Sequence, residues 1–306
     1  MNHNALLLHL YPRVWRDRYA EEMLEVLEAR PLSMKDVLNV IFGACDAHLH
    51  PFWGTKGMPP HEKLLTMLRA LRQSLIMIFS AYIGFVVGGL IFAKMTEDTV
   101  DATIRLSALA GASYWIVFFG SIIALAAIVM GGVPIALAIV KNAITLRKKG
   151  PLLLLLVPGL AFFALLLILR LNFAAMPGPA SLSGFSAFFL LEAIISTAAV
   201  CMAVKRSQIK ASTLRFATIP FLIAIITMLL MCCATICWGI SLYSTDPALF
   251  IDQYSFMHAN SLLLWLVVVG VMAISTVIAL IAGVRGARAF ARLNDTSALG
   301  AIEFRQ

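Results

Sequence analysis

Arg147-Lys148-Lys149-Gly150-Pro151-Leu152-Leu153-Leu154-Leu155-Leu156 joins a knot of positive charge to an apolar run that continues to Leu169. Charge is costly inside a bilayer, and crossing one takes about 20 predominantly apolar residues. The junction therefore marks a cytoplasmic face and the start of a transmembrane helix. The segments on either side are oriented from it.

Working outward, the chain shows six apolar segments of spanning length, near 74–94, 114–140, 151–170, 185–204, 217–240 and 261–284. The second and fifth are long enough to tilt or bend, and Gly131-Gly132-Val133-Pro134 predicts a kink in the second. The connections alternate in charge. One set holds Lys141, Arg147, Lys148 and Lys149, then Lys205, Arg206, Lys210 and Arg215, then Arg285, Arg288, Arg292 and Arg305. The other holds only Lys94, Arg105 and Arg170. With the basic residues ahead of the first segment, 21 of the 24 Lys and Arg fall on one side. The positive-inside rule then places both termini in the cytoplasm, and an even number of spans agrees with both ends lying on one side. Glu97, Asp98, Asp101, Asp246 and Asp252 lie in the opposite loops, and Trp115, Trp238, Tyr243 and Tyr254 lie near the outer ends, as an aromatic belt predicts.

Composition agrees. The chain is 61% hydrophobic and 13% charged over 306 residues, against roughly half and a quarter in soluble domains. A net charge of +8 would hint at nucleic acid in a soluble protein. Here the basic residues sit beside apolar spans, so the partner they imply is the lipid bilayer and no nucleic acid is expected. Leu6 to Leu8 is too short for a signal peptide core, and Arg13, Arg16 and Arg18 follow it. The five cysteines form no CxxC pair and lie mostly inside helices, which argues against a disulfide framework.

Four regions follow: a cytoplasmic helical prefix and linker over 1–60, an amphipathic juxtamembrane helix over 61–73, a transmembrane domain over 74–284 and a cytoplasmic tail over 285–306. In the prefix, Trp15, Tyr19, Met23, Leu24 and Leu27 share one helical face. Ser33 with Asp36 predicts the capped start of a second helix, running to about Leu49. Pro51 to Pro60 is rich in breakers. Along 61–73, Leu64, Leu68 and Leu71 make a stripe that reads either as an interfacial helix or as the cytoplasmic start of the first span.

The prefix also carries a resemblance. Leu10-Tyr11-Pro12-Arg13-Val14-Trp15-Arg16-Asp17-Arg18-Tyr19-Ala20-Glu21-Glu22-Met23-Leu24, with Arg30-Pro31-Leu32-Ser33, Asp36-Val37-Leu38 and Gly43-Ala44-Cys45-Asp46-Ala47-His48-Leu49, is similar to the HAAS-like or permease-prefix helical domains found ahead of poorly characterised bacterial multi-pass membrane proteins. It covers the prefix alone. The resemblance implies a bacterial inner-membrane protein linked to a regulator or a transport system, and it brings no catalytic residue with it.

Candidate residues are few. Glu192 sits inside the fourth segment, where an ionisable group is expensive unless paired, protonated or facing water. It reads either as a proton- or cation-coupling site or as a partnered group tying helices together, with Arg170 the basic candidate at the outer end of the third segment. Ser80, Gly84 and Gly88 form a small-residue series for close helix packing. Trp15, Arg16, Arg18 and Tyr19 are the candidate partner-contact face of the prefix. Cys232, Cys233 and Cys237 with Met228 and Met231, and Cys45 with His48, His50, His9 and His61, have ligand-capable types but are read as ordinary filler and polar helix ends. The outer loop 241–260 holds Asp246, Asp252, Tyr254 and His258. No nucleotide-binding, nucleophile-elbow, zinc-protease or paired-carboxylate motif is present. The expectation is an all-α, six-span bundle, not an enzyme, with no cofactor and no metal. It would act as a regulatory or signalling partner of a cytoplasmic protein through its prefix. The alternative is a transporter or permease subunit using Glu192.

Overall fold

The computed structural model describes residues 7–11, 13–28, 33–49, 60–96, 107–145, 147, 149–175, 179–207, 209–245, 247 and 261–303. Over these residues the chain is helical and contains no strand. In order, the helices are α1 (Arg13–Glu28), α2 (Met34–Leu49), α3 (Pro60–Thr96), α4 (Ala108–Thr145), α5 (Lys149–Ala175), α6 (Pro179–Arg206), α7 (Ala211–Thr245) and α8 (Ser261–Glu303). Four stretches are long and apolar enough to cross a membrane: Leu64–Ala93 in α3, Ala108–Thr145, Ala211–Thr245, and Leu262–Arg292 in α8. The third and fourth apolar segments lie in α5 and α6, of 27 and 28 residues, and α5 carries the shorter apolar stretch Gly150–Ala164.

The chain divides into two compact units, residues 75–283 and residues 1–74 with 284–306. In the first, α4 packs along α7 and α5 along α6. The α4–α7 pair is antiparallel: Gly120 lies against Met231, and Gly131 against Phe221 and the Ala217 carbonyl. The two helices carry large apolar side chains on their outer faces and small residues at their closest approach. On α4 the buried positions include Ala110, Gly111, Gly120, Ala124, Ala127 and Gly131, while Phe118, Ile122, Leu125, Val129 and Leu137 are exposed. On α7 the same contrast separates Ala217, Ala224 and Ala234 from Phe216, Ile219, Ile226 and Leu230. Phe221, Ile225, Met228 and Trp238 are buried as well, but in water the outer rows of large apolar side chains would stay exposed at a cost. In lipid the arrangement is the favourable one, because tails solvate the large groups while small ones let backbones approach.

Hydroxyls inside this unit find partners locally. Thr218, Thr235 and Thr276 are buried, and each donates to the carbonyl four residues earlier, Leu214, Met231 and Met272, at 2.7–2.9 Å. An apolar surrounding leaves a hydroxyl no water to turn to, and the helix's own carbonyls supply the acceptor. Ser107 caps α4, accepting from the Ala110 amide at 3.3 Å, and its hydroxyl meets the Ser241 hydroxyl at 2.6 Å, so one residue both starts α4 and pins it to α7.

The basic junction is a tight turn. Its Arg147 has φ of 52°, in the left-handed region, and its amide donates to the Ile144 carbonyl at 3.2 Å. That is a helix C-terminal cap in which a non-glycine residue takes the strained conformation. It lets α5 begin at Lys149, two residues later.

In the other unit, Leu8, Tyr11, Leu27, Val40, Ala44 and Ala47 are buried together, with Leu7, Trp15, Ala20, Met23 and Leu24 packed against them. The predicted cap of α2 is present and reciprocal. The Asp36 amide donates to Ser33 Oγ at 3.3 Å, and the Ser33 amide donates to Asp36 Oδ2 at 3.1 Å. α2 crosses close to Tyr11 because residue 43 is glycine; a Cβ there would lie 2.5 Å from the Tyr11 hydroxyl. Burial lifts that phenol above the ordinary tyrosine value of 10.0.

Candidate functional site

Glu192 lies half-buried on α6, and Ser196, one turn on, donates its hydroxyl to Glu192 Oε1 at 2.7 Å. The i,i+4 spacing brings the two side chains together on one helical face. Arg170 is exposed near the end of α5. The carboxylate is thus held by a hydroxyl of its own helix, a contact that fixes its rotamer and lowers the cost of its desolvation.

The small-residue series on α3 faces helices of its own unit. Ser80 donates to the Ile76 carbonyl and lies 3.4 Å from Cys201 Sγ on α6. A Cβ at Gly84 would stand 3.0 Å from Ser275 Oγ, and one at Gly88 would stand 3.0 Å from Met272 Cγ, both on α8. Gly89, one residue further, has nothing within 4 Å. Gly84 and Gly88 therefore mark the α3 face that meets α8, antiparallel, while Ser80 meets α6.

A polar seam between α7 and α8 was not singled out from the sequence. Trp265 Nε1 donates to the Thr235 carbonyl at 3.2 Å, and Thr235 Oγ1 lies 3.8 Å from Met272 Sδ. The Trp265 indole lies on Gly239, where a Cβ would fall 2.2–2.4 Å from three ring atoms. Phe92 meets Trp238 edge-on at 5.1 Å between centroids. The legible signal was Gly239 beside Trp238, a small residue in a run of large ones, but its partner is 26 positions away and no spacing rule connects them.

The three cysteines of α7 diverge: Cys232 is buried, while Cys233 and Cys237 are exposed. Among the described residues no group of three or more His, Cys, Asp or Glu side chains converges on a metal position. Cys45 and His48 lie on α2 with side chains outside the described residues; His50 and residues 248–260 of the outer loop also lie outside them.

In the prefix, Trp15 stacks on Tyr11 at 4.0 Å and tilts against Tyr19 at 5.3 Å. Arg16 Nη1 donates to His9 Nδ1. Trp15, Arg16 and Tyr19 are each half-buried, so much of this face is used within the prefix; the Arg18 side chain lies outside the described residues. Among the described residues, large apolar side chains exposed on the prefix include Leu10, Val26, Leu38 and Ile41.

Comparison of the chain with protein-family models, with curated proteins and with solved structures returns no match.

Proposed function

We propose that the chain is a six-span bacterial inner-membrane protein with both termini in the cytoplasm, whose prefix docks a cytoplasmic protein in a regulatory or signalling role. Membrane residence rests on the rows of large apolar side chains exposed along α4 and α7 together with the lengths of these helices. The orientation rests on the charge asymmetry of the loops. α5 and α6 complete the six spans. A phosphatase reporter fused after residue 175 separates six from four: it is external and active if α5 crosses, and cytoplasmic and inactive if α5 and α6 stay on one side.

The docking role is carried by one observation. The prefix builds its own small core and still leaves Leu38 and Ile41, three residues apart on one face of α2, at 47% and 37% exposure. So small a module gains little from its own core, and exposed apolar groups side by side fit a protein contact. A photo-crosslinking residue at position 38 is expected to give one discrete heteromeric adduct in cells, lost on Ile41→Asp. An absence of adducts from position 38 would sink the reading.

A second reading, transport, rests on Glu192 half-buried within α6. There, Glu192→Gln would abolish cation-coupled flux in proteoliposomes. Under the docking reading the same variant leaves the position-38 adduct unchanged.

A further inference from the structure

We propose that residues 64–74 of α3 and 284–292 of α8 form a binding site for the phosphate of an anionic phospholipid, organised around Arg285. The two segments belong to one unit and touch closely. A Cβ at Gly286 would stand 3.2 Å from Ser74 Cβ, so the absent side chain is what lets α8 approach α3. That approach sets Arg285 beside Gln73, and Arg285 Nη2 donates to Gln73 Oε1 at 2.9 Å. The Arg285 Nε is buried with no acceptor, and so is the Ser74 hydroxyl. Among the described residues the guanidinium meets no carboxylate; a neutral amide fixes its plane and leaves its charge uncancelled.

The residue types sharpen this. Neither segment contains Asp or Glu, and together they hold Arg69, Arg72, Arg285, Arg288 and Arg292 with no lysine. The other cytoplasmic turns mix the two, as in Lys141, Arg147, Lys148 and Lys149, or Lys205, Arg206, Lys210 and Arg215. Retention on the cytoplasmic side needs only positive charge and is indifferent to the choice. Glu62 and Lys63 precede the first segment on α3, and within the segments arginine suits phosphate because its planar fork binds two oxygens and keeps its charge when half-buried. Arg69 and Arg72, one turn apart on α3, lie close enough to repel each other, which an anion between or beside them relieves. At the inner edge of a bilayer the abundant phosphate is a lipid headgroup, and the commitment is to that source.

The proposal rests on the cytoplasmic placement of both segments, which the reporter fusions test separately; lipid retention is read in detergent, where no leaflet is defined. The full chain is purified from membranes doped with phosphatidylglycerol and phosphatidylcholine, and retained lipid is counted by native mass spectrometry. Preferential retention of phosphatidylglycerol is expected. Arg285→Gln should weaken it by about tenfold, the effect of one charge-assisted contact. Gln73→Leu, which leaves every charge in place but frees the guanidinium, should weaken it in the same direction. Arg147→Gln removes the same charge from a different turn and should leave retention within about twofold of the unmodified chain. Equal losses from Arg285→Gln and Arg147→Gln would show a diffuse field and overturn the site. Displacement of phosphatidylglycerol by millimolar inorganic phosphate would assign the pocket to a free anion and overturn the lipid.

Discussion

Gly239→Ala is expected to destabilise the membrane unit by on the order of 3 kcal/mol, read as a lower unfolding temperature in detergent. A single methyl group is a small change, and the size of the effect comes from what it meets. The added Cβ would fall 2.2 Å from Trp265 Cε2, 2.3 Å from Cζ2 and 2.4 Å from Nε1. Contacts that short require movement. A flexible side chain would swing aside, but an indole turns as one rigid plate, and this one is held at its nitrogen by the Thr235 carbonyl. Moving it breaks that hydrogen bond inside an apolar surrounding, where no water replaces the acceptor. The alternative is for α7 and α8 to separate, which loosens the Thr235 and Met272 contact one turn away. Trp265→Ala gives the complementary test. Alone it costs roughly 3–5 kcal/mol through the cavity it leaves. Combined with Gly239→Ala it costs less than the sum, because the methyl then occupies vacated space. Additive losses would show that the two residues do not touch.

Much of this architecture is legible in the sequence, for physical reasons that also mark where legibility stops. The basic junction at Arg147 announces a turn because charge and lipid exclude each other. Nothing in Arg147 announces the positive φ, a conformation usually left to glycine. The boundaries drawn by charge at residues 73–74 and 284–285 are not helix boundaries. α3 runs unbroken from Pro60 to Thr96 and α8 from Ser261 to Glu303. No proline interrupts either helix there, Gly283 and Gly286 of α8 serve close packing, and arginine stems lie along a helix as comfortably as leucine does. Composition tells where the bilayer ends and propensity tells where the helix ends, and here they differ. The prefix shows a similar split. The apolar stripe through Trp15, Tyr19 and Met23 is visible by spacing, but spacing does not say what covers it. Tyr11 lies before α1 and stacks on Trp15, so part of the expected contact face is turned inward. Glu192 is conspicuous because charge in an apolar run is costly. Ser196 is not, because serines are common in such runs, although its four-residue offset is what joins them.

The largest contrast between adjacent positions is expected at Gly131 and Gly132. The sequence treats the pair as one feature, the start of a kink ending at Pro134, and α4 continues through all of it as one helix. The packing treats them oppositely. A Cβ at Gly131 would stand 2.7 Å from two ring atoms of Phe221 and 3.4 Å from the Ala217 carbonyl oxygen, whereas one at Gly132 meets nothing within 4 Å. Gly131→Leu must therefore push α4 off α7 along the pair that dominates this unit. A loss of at least 3 kcal/mol is expected, comparable with the more severe overpacked cores. Gly132→Leu adds a side chain to open space on a helix and removes a residue of poor helix propensity. It should be neutral or stabilise by up to about 1 kcal/mol. Each variant replaces one glycine of the pair by leucine in the same hydrophobic run near the same proline, so effects on insertion, expression or local flexibility largely cancel in the comparison. What remains is the rotation of α4 about its own axis, one residue corresponding to about 100°. Equal unfolding temperatures for the two variants would mean that α4 presents a different face to α7. A low value for Gly131→Leu that Phe221→Ala partly restores would fix the face, the register and the partner together.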